Sequence, residues 1–69
     1  MVEVFKTNVV ERKASKQILQ LLLTQFPSHE INFDLDDCDK VLRVHGNDIS
    51  AEKIIELVNE SGYECEVLV

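Results

Sequence analysis

The chain has no tryptophan, a single proline, two glycines and two cysteines. With Gly46 and Gly62 as its only glycines, it has no glycine-rich loop of the kind that cradles phosphates. Cys38 and Cys65 lie far apart and cannot form the dense disulfide framework of small secreted domains. Cations are scarce: seven Lys and Arg stand against thirteen Asp and Glu, a net charge of -6. That balance excludes nucleic-acid binding through phosphates, which needs a basic footprint, and argues against anionic membrane surfaces. Long apolar runs are missing too; Leu21 to Leu23 falls far short of a membrane span. The first residues, Met1-Val2-Glu3-Val4, carry neither a basic region nor an apolar core of a signal peptide. Cytoplasmic residence is the expectation.

What is present reads as one small globular domain spanning residues 1–69. Its hydrophobic content, 45%, is that of a folded protein and not of a disordered one. A chain of this length buries only about 60% of the surface its unfolded form exposes, so its stability is expected to be marginal.

Hydrophobic periodicity divides the chain into six elements. Val2 to Asn8 reads as a strand, with Val2 and Val4 on one face and Glu3 and Phe5 on the other. From Arg12 to Phe26 the period becomes helical. Ala14, Ile18, Leu21, Leu22 and Phe26 share a face, Leu23 lies furthest from it, and Pro27 ends the helix. Glu30 to Asp36 is a strand with Ile31, Phe33 and Leu35 inward. Asp37-Cys38-Asp39 is a polar turn, and Lys40 to His45 returns with Leu42 and Val44 inward. Ser50 is an N-cap for a second helix, Ile49 and Ile54 are placed to staple it, and Gly62 sits where a left-handed C-cap belongs. Glu64 to Val69 is the last strand, with Cys65 and Val67 on one face. The order βαββαβ, with right-handed crossovers, predicts an α+β ferredoxin-like domain: a four-stranded antiparallel sheet with both helices on one face. In that architecture the first βα loop, the Asp37–Asp39 turn and the Gly62-Tyr63 segment share one end.

The strands Ile31-Asn32-Phe33-Asp34-Leu35 and Val41-Leu42-Arg43-Val44, and the run Glu56-Leu57-Val58-Asn59-Glu60-Ser61-Gly62-Tyr63 into Cys65-Glu66-Val67, carry a resemblance. Over nearly its whole length the chain resembles the heavy-metal-associated domain family, the soluble copper chaperones and the metal-binding repeats of metal-pumping ATPases. That family binds its ion through Met-x-Cys-x-x-Cys in the first loop, where two thiolates suit a soft ion such as Cu(I). Here the loop reads Thr7-Asn8-Val9-Val10-Glu11-Arg12-Lys13-Ala14-Ser15-Lys16. The thiol positions fall at Val10 and Lys13, or at Lys13 and Lys16, and neither register offers a ligand pair. The resemblance therefore implies the scaffold but no metal and no cofactor. Only Tyr63 matches a family position near the ion, as its neighbour and not its ligand.

Arg12, Lys13 and Lys16 form a basic cluster at the start of the first helix, where cations oppose the macrodipole at roughly a few tenths of a kcal/mol each. Two readings stand beside each other. The cluster, with Tyr63, is a docking surface for an acidic protein partner or a small anion; or it neutralises Asp36, Asp37 and Asp39 at the same end, as surface pairs of little energy do. Asp34 to Asp39 is not a calcium loop: an EF-hand frame would need an oxygen ligand at Cys38, Gly at Asp39 and Glu at His45. Cys38 and Cys65 are expected at opposite sheet edges, about 14 Å apart at ~4.8 Å per strand, so one ion cannot join them within a monomer. Cys65 is expected to be a small core residue and Cys38 an exposed free thiol. Phe5, Val41 and Leu68 are expected on the sheet face without helices, as a partner patch or as scattered surface hydrophobes. His29 and His45 have no nucleophile in evident reach, and no catalytic constellation appears. The reading is a non-enzymatic binding or adaptor module, monomeric or weakly dimeric. The alternatives are a divergent soft-metal protein using Cys38 or Cys65 across a dimer, and a small-molecule sensor.

Overall fold

The computed structural model describes residues 1–68; Val69, the last residue of the expected final strand, lies outside them. Six elements follow in the order β1 (Val2–Thr7), α1 (Arg12–Gln25), β2 (Glu30–Asp34), β3 (Val41–His45), α2 (Ala51–Glu60) and β4 (Cys65–Val67). The strands form one antiparallel sheet in the order β2-β3-β1-β4. The fold is the expected ferredoxin-like α+β. No helix among the described residues is long and apolar enough to cross a membrane.

Local chemistry explains the element bounds. In α2 the Ser50 hydroxyl accepts from the Lys53 amide at 3.3 Å, and Gly62 takes φ +93° just beyond the helix. Only glycine holds that left-handed conformation without a Cβ penalty. By contrast, α1 starts at Glu11 with no side-chain cap and no acidic residue in its first turn. Its end is set by Phe26, whose amide still bonds the Leu22 carbonyl at 2.8 Å, followed by Pro27. β2 is one strand edge and β4 the other, and β2 displays the sequence Glu30-Ile31-Asn32-Phe33-Asp34 along its unpaired side.

The core lies between sheet and helices. It joins Phe5, Val9, Ile18, Leu22, Ile31, Leu42, Val44, Ile54, Leu57 and Val58. Its inclusion of Phe5 corrects the expected face of β1. Phe5 is fully buried opposite Leu42 on β3 and Val67 on β4, whereas Val2 is exposed. Burying an aromatic ring removes more apolar surface from water than burying valines, so the ring sets the orientation. Val41 does alternate away from Leu42, but it is itself buried and so adds nothing to an exposed patch. Leu68 remains partly exposed, its amide bonded to the Val4 carbonyl at 2.8 Å.

One half-buried side chain stands apart. Both ring nitrogens of His29 are shielded from solvent without a hydrogen-bond partner. The ring packs on Phe26, with centroids 5.4 Å apart, and against the bare Cα of Gly46.

Candidate functional site

The end of the fold that carries the first loop is tied together by polar contacts from β1. Thr7 is buried, and its hydroxyl donates to the Lys40 carbonyl at 2.6 Å while accepting from the Val9 amide at 3.2 Å. Its own amide donates to the Asp39 carbonyl at 3.1 Å. These bonds satisfy a buried hydroxyl and fix the turn before β3 against the start of the loop. They also allow Val9 to fold back into the core, leaving Val10 outside with 64% exposure. On the other side, the Asn8 side chain donates to Glu64 Oε2 at 3.3 Å and accepts from the Glu64 amide at 2.8 Å. The first loop, the acidic turn and the segment after α2 thus meet at one end, as expected.

The turn itself is closely organised. Asp37 Oδ1 accepts from the Asp39 amide at 2.9 Å, and the Asp37 carbonyl from the Lys40 amide at 3.0 Å. Lys40 takes φ +47°, and its ammonium donates to the Leu35 carbonyl at 2.9 Å. A positive φ is uncommon for a residue with a Cβ, and here both its backbone and its side chain hold it.

Arg12, Lys13 and Lys16 are all exposed. Arg12 and Lys16 line a groove with Ser15, Phe33, Asp34, Leu35 and Asp36; Lys13 and Tyr63 do not. Tyr63 is half-buried against the core, with its amide on the Val58 carbonyl at 3.3 Å. Internal compensation of the cluster does not take the form of ion pairs. Among the described residues the ion pair between fixed charges is Lys6–Asp39 at 3.9 Å, and His45 Nδ1 lies 3.4 Å from Glu30 Oε2. It is Lys6 on β1, and none of the α1 cations, that answers the acidic turn.

The thiols are separate and chemically unlike. Cys38 is exposed, and its sulfur lies with one carboxylate oxygen each of Asp37 and Asp39 in a group whose members are within 4.8 Å of one another. That grouping escapes a residue-by-residue reading of the turn, because the Asp37–Asp39 hydrogen bond, which folds the turn, is invisible as spacing. Cys65 pairs with Thr7 across strands. Burial, and secondarily the charge of Glu66, pushes its thiol up to about 11, so at neutral pH it is protonated and a poor ligand. In the first loop the positions Val10, Lys13 and Lys16 supply no metal donor. The turn supplies one thiol and two carboxylates, one hydrogen-bonded and the other beside Lys6. Neither set fits Cu(I), which favours paired soft thiolates.

The element order and the sheet order β2-β3-β1-β4 define a ferredoxin-like α+β domain. The chain is similar in structure to the yeast copper transporter domain CCC2A, solved in solution in its apo and Cu(I)-loaded states. The TM-score is 0.81 at 17% sequence identity, over 99% of this chain and 94% of that one. No protein-family model and no curated protein matches the chain. The likeness is one of fold.

Proposed function

We propose that the chain is a non-enzymatic cytoplasmic adaptor that binds an acidic protein partner through the Arg12, Lys13 and Lys16 end, with Tyr63 behind it. The observation that carries this reading is the state of the three cations. They are exposed, they form no ion pair among the described residues, and they sit at the helix end whose dipole disfavours them. A surface that costs its own helix stability, at the end where a copper-carrier fold presents its first loop, is best accounted for by an external carboxylate partner. The missing thiol pair removes the metal activity that the scaffold would otherwise suggest. Affinity capture with wild type and with an Arg12→Glu/Lys13→Glu/Lys16→Glu variant tests it. A partner lost only from the variant supports the surface; identical partner sets sink it.

A second reading is a metal site shared between two chains through Cys38. It is favoured by the proximity of the Asp37, Cys38 and Asp39 donor atoms. Native mass spectrometry with Cu(I) or Zn(II) under reducing conditions separates the two. A stoichiometric adduct that disappears in Cys38→Ser would move the assignment to metal binding.

A further inference from the structure

The outer edge of β2 offers unpaired main-chain groups beside a helix that is graded from charged to apolar. The Gly46 amide bonds the Met1 carbonyl at 3.0 Å, which makes Val2–His45 a non-hydrogen-bonded pair between β1 and β3. His45, Arg43 and Val41 therefore turn their main-chain groups towards Glu30, Asn32 and Asp34 of β2. By the same alternation Ile31 and Phe33 point theirs outward, where no strand among the described residues receives them. An added strand can bond both residues through amide and carbonyl alike.

The first helix flanks this edge. Its start lies at the Asp34 end, where Arg12, Ser15 and Lys16 line a groove with Phe33 and Asp34. Its finish lies at the Glu30 end, joined to β2 by residues 26–29. Arg12, Lys16, Leu19 and Leu23 fall within about 60° of one another around the helix axis, and Leu19 projects between Ser15 and Arg12. The row therefore continues on the β2 side, cationic at the Asp34 end and apolar at the Glu30 end. Its members rise about 4.5–6 Å apart, close to the roughly 6.4–6.8 Å between alternate residues of a strand. Asp34 and Asp36 border the groove, but neither pairs with Arg12 or Lys16. On the opposite sheet face Glu30 and Asp34 flank Asn32, whose side-chain oxygen accepts from Arg43 at 3.3 Å.

We infer that β2 accepts an extended segment of a protein partner as a further antiparallel strand, laid in the channel beside α1. On its helix side the segment carries carboxylates for Arg12 and Lys16, then branched apolar residues for Leu19 and Leu23. On its other side it carries Lys or Arg opposite Asp34 and Glu30. Main-chain bonds to Ile31 and Phe33 hold it, and the alternating side chains select it. The inference rests on the adaptor reading for its two cations, and gives the acidic partner a conformation, a direction and a second face of opposite charge.

The blocked peptide acetyl-Glu-Lys-Glu-Thr-Val-Lys-Val-amide is the probe, titrated into isotope-labelled protein followed by NMR. It should saturate below about 1 mM, shift the amides of Ile31 and Phe33, and slow their exchange with solvent. Acetyl-Lys-Glu-Lys-Thr-Val-Glu-Val-amide, with every charge reversed, should bind at least about tenfold more weakly. Methylating the probe nitrogen of the third or fifth residue, which faces Phe33 or Ile31, should abolish binding; methylating that of the fourth, which faces away, should not. Arg12→Glu/Lys16→Glu places charges that favour its helix end, so it should stay folded by circular dichroism and lose the probe. No saturable binding, shifts confined to other elements, equal affinity for the reversed peptide, or tolerance of methylation at the third and fifth residues each overturns the proposal. Partner capture reports separately on the adaptor reading. Capture that depends on Arg12, Lys13 and Lys16 without probe binding leaves the adaptor and removes strand addition; probe binding with identical captured partner sets does the reverse.

Discussion

Gly46→Ala is expected to destabilise the protein, and His29 is expected to be the whole reason. A Cβ at position 46 would stand 2.9 Å from His29 Cδ2, 3.0 Å from Cγ and 3.3 Å from Nε2. The ring has little room to withdraw: its nitrogens are shielded from solvent, it packs on Phe26, and its backbone is anchored by a 3.1 Å bond to the Phe26 carbonyl. Position 46 is equally fixed, its amide on the Met1 carbonyl at 3.0 Å. Overpacking of this kind costs about 1–3 kcal/mol. Gly46 does not have positive φ, so alanine adds no backbone strain and should return about 0.4–1 kcal/mol by restricting the unfolded chain. The net loss is then about 1–2 kcal/mol. In a His29→Ala background the clash is gone and the entropic gain remains, so the same substitution should become stabilising. Urea unfolding of the four proteins in this double-mutant cycle yields a coupling of about 1–3 kcal/mol. Gly46→Ala costing the same in both backgrounds would refute the steric account.

Three other substitutions probe separate parts of the structure. Phe5→Ala should cost about 3–5 kcal/mol, enough to threaten folding of so small a domain, while Val4→Ala on the opposite sheet face should cost much less; equal losses in urea unfolding would contradict the orientation of β1. Lys13→Glu should raise stability by about 0.3–1 kcal/mol by placing a carboxylate in the uncapped first turn of α1, and a lowered melting temperature would count against that. Iodoacetamide at about pH 8 should alkylate Cys38 readily and spare Cys65, as read by peptide mass spectrometry. Because the folded state lifts the Cys65 thiol from 9.0 to about 11, it holds that proton more tightly than the unfolded chain does. Stability should therefore fall as pH rises from about 9 through about 11, and Cys65→Ala should lack that part of the slope.

The elements legible in the sequence are those where several local signals agree. At α2 the Ser50 cap, the helical stripe of Ile54, Leu57 and Val58, and Gly62 all point to one helix, which is the helix observed. The β2–β3 hairpin was legible for the same reason: Ile31, Leu42 and Val44 alternate cleanly towards the core. β1 was not, because Val2 and Val4 compete with Phe5 for the inner face, and only its two neighbouring strands decide between them. Thr7 and Val9 complete the inward row from Phe5, yet Val9 lies outside any strand. Its burial depends on a loop held by the Thr7 hydroxyl and Lys40, residues 33 positions apart. At the candidate site, sequence located the basic cluster, but whether those cations had partners depended on distances across the fold. Lys6 pairing with Asp39, and not Arg12 or Lys16 with Asp36, is a matter of a few ångströms between side chains.

The bare edge of β2 has a consequence for how the molecule behaves in a crowd. If two copies met edge to edge, antiparallel and centred on Asn32, Glu30 of each would lie opposite Asp34 of the other. Like charges directly opposed across strands disfavour pairing, so carboxylates guard an edge that no other strand among the described residues pairs. Such shielding is conditional. It rests on those two side chains alone: with both replaced by neutral residues, the same edge becomes a template for growth of the sheet from one molecule into the next.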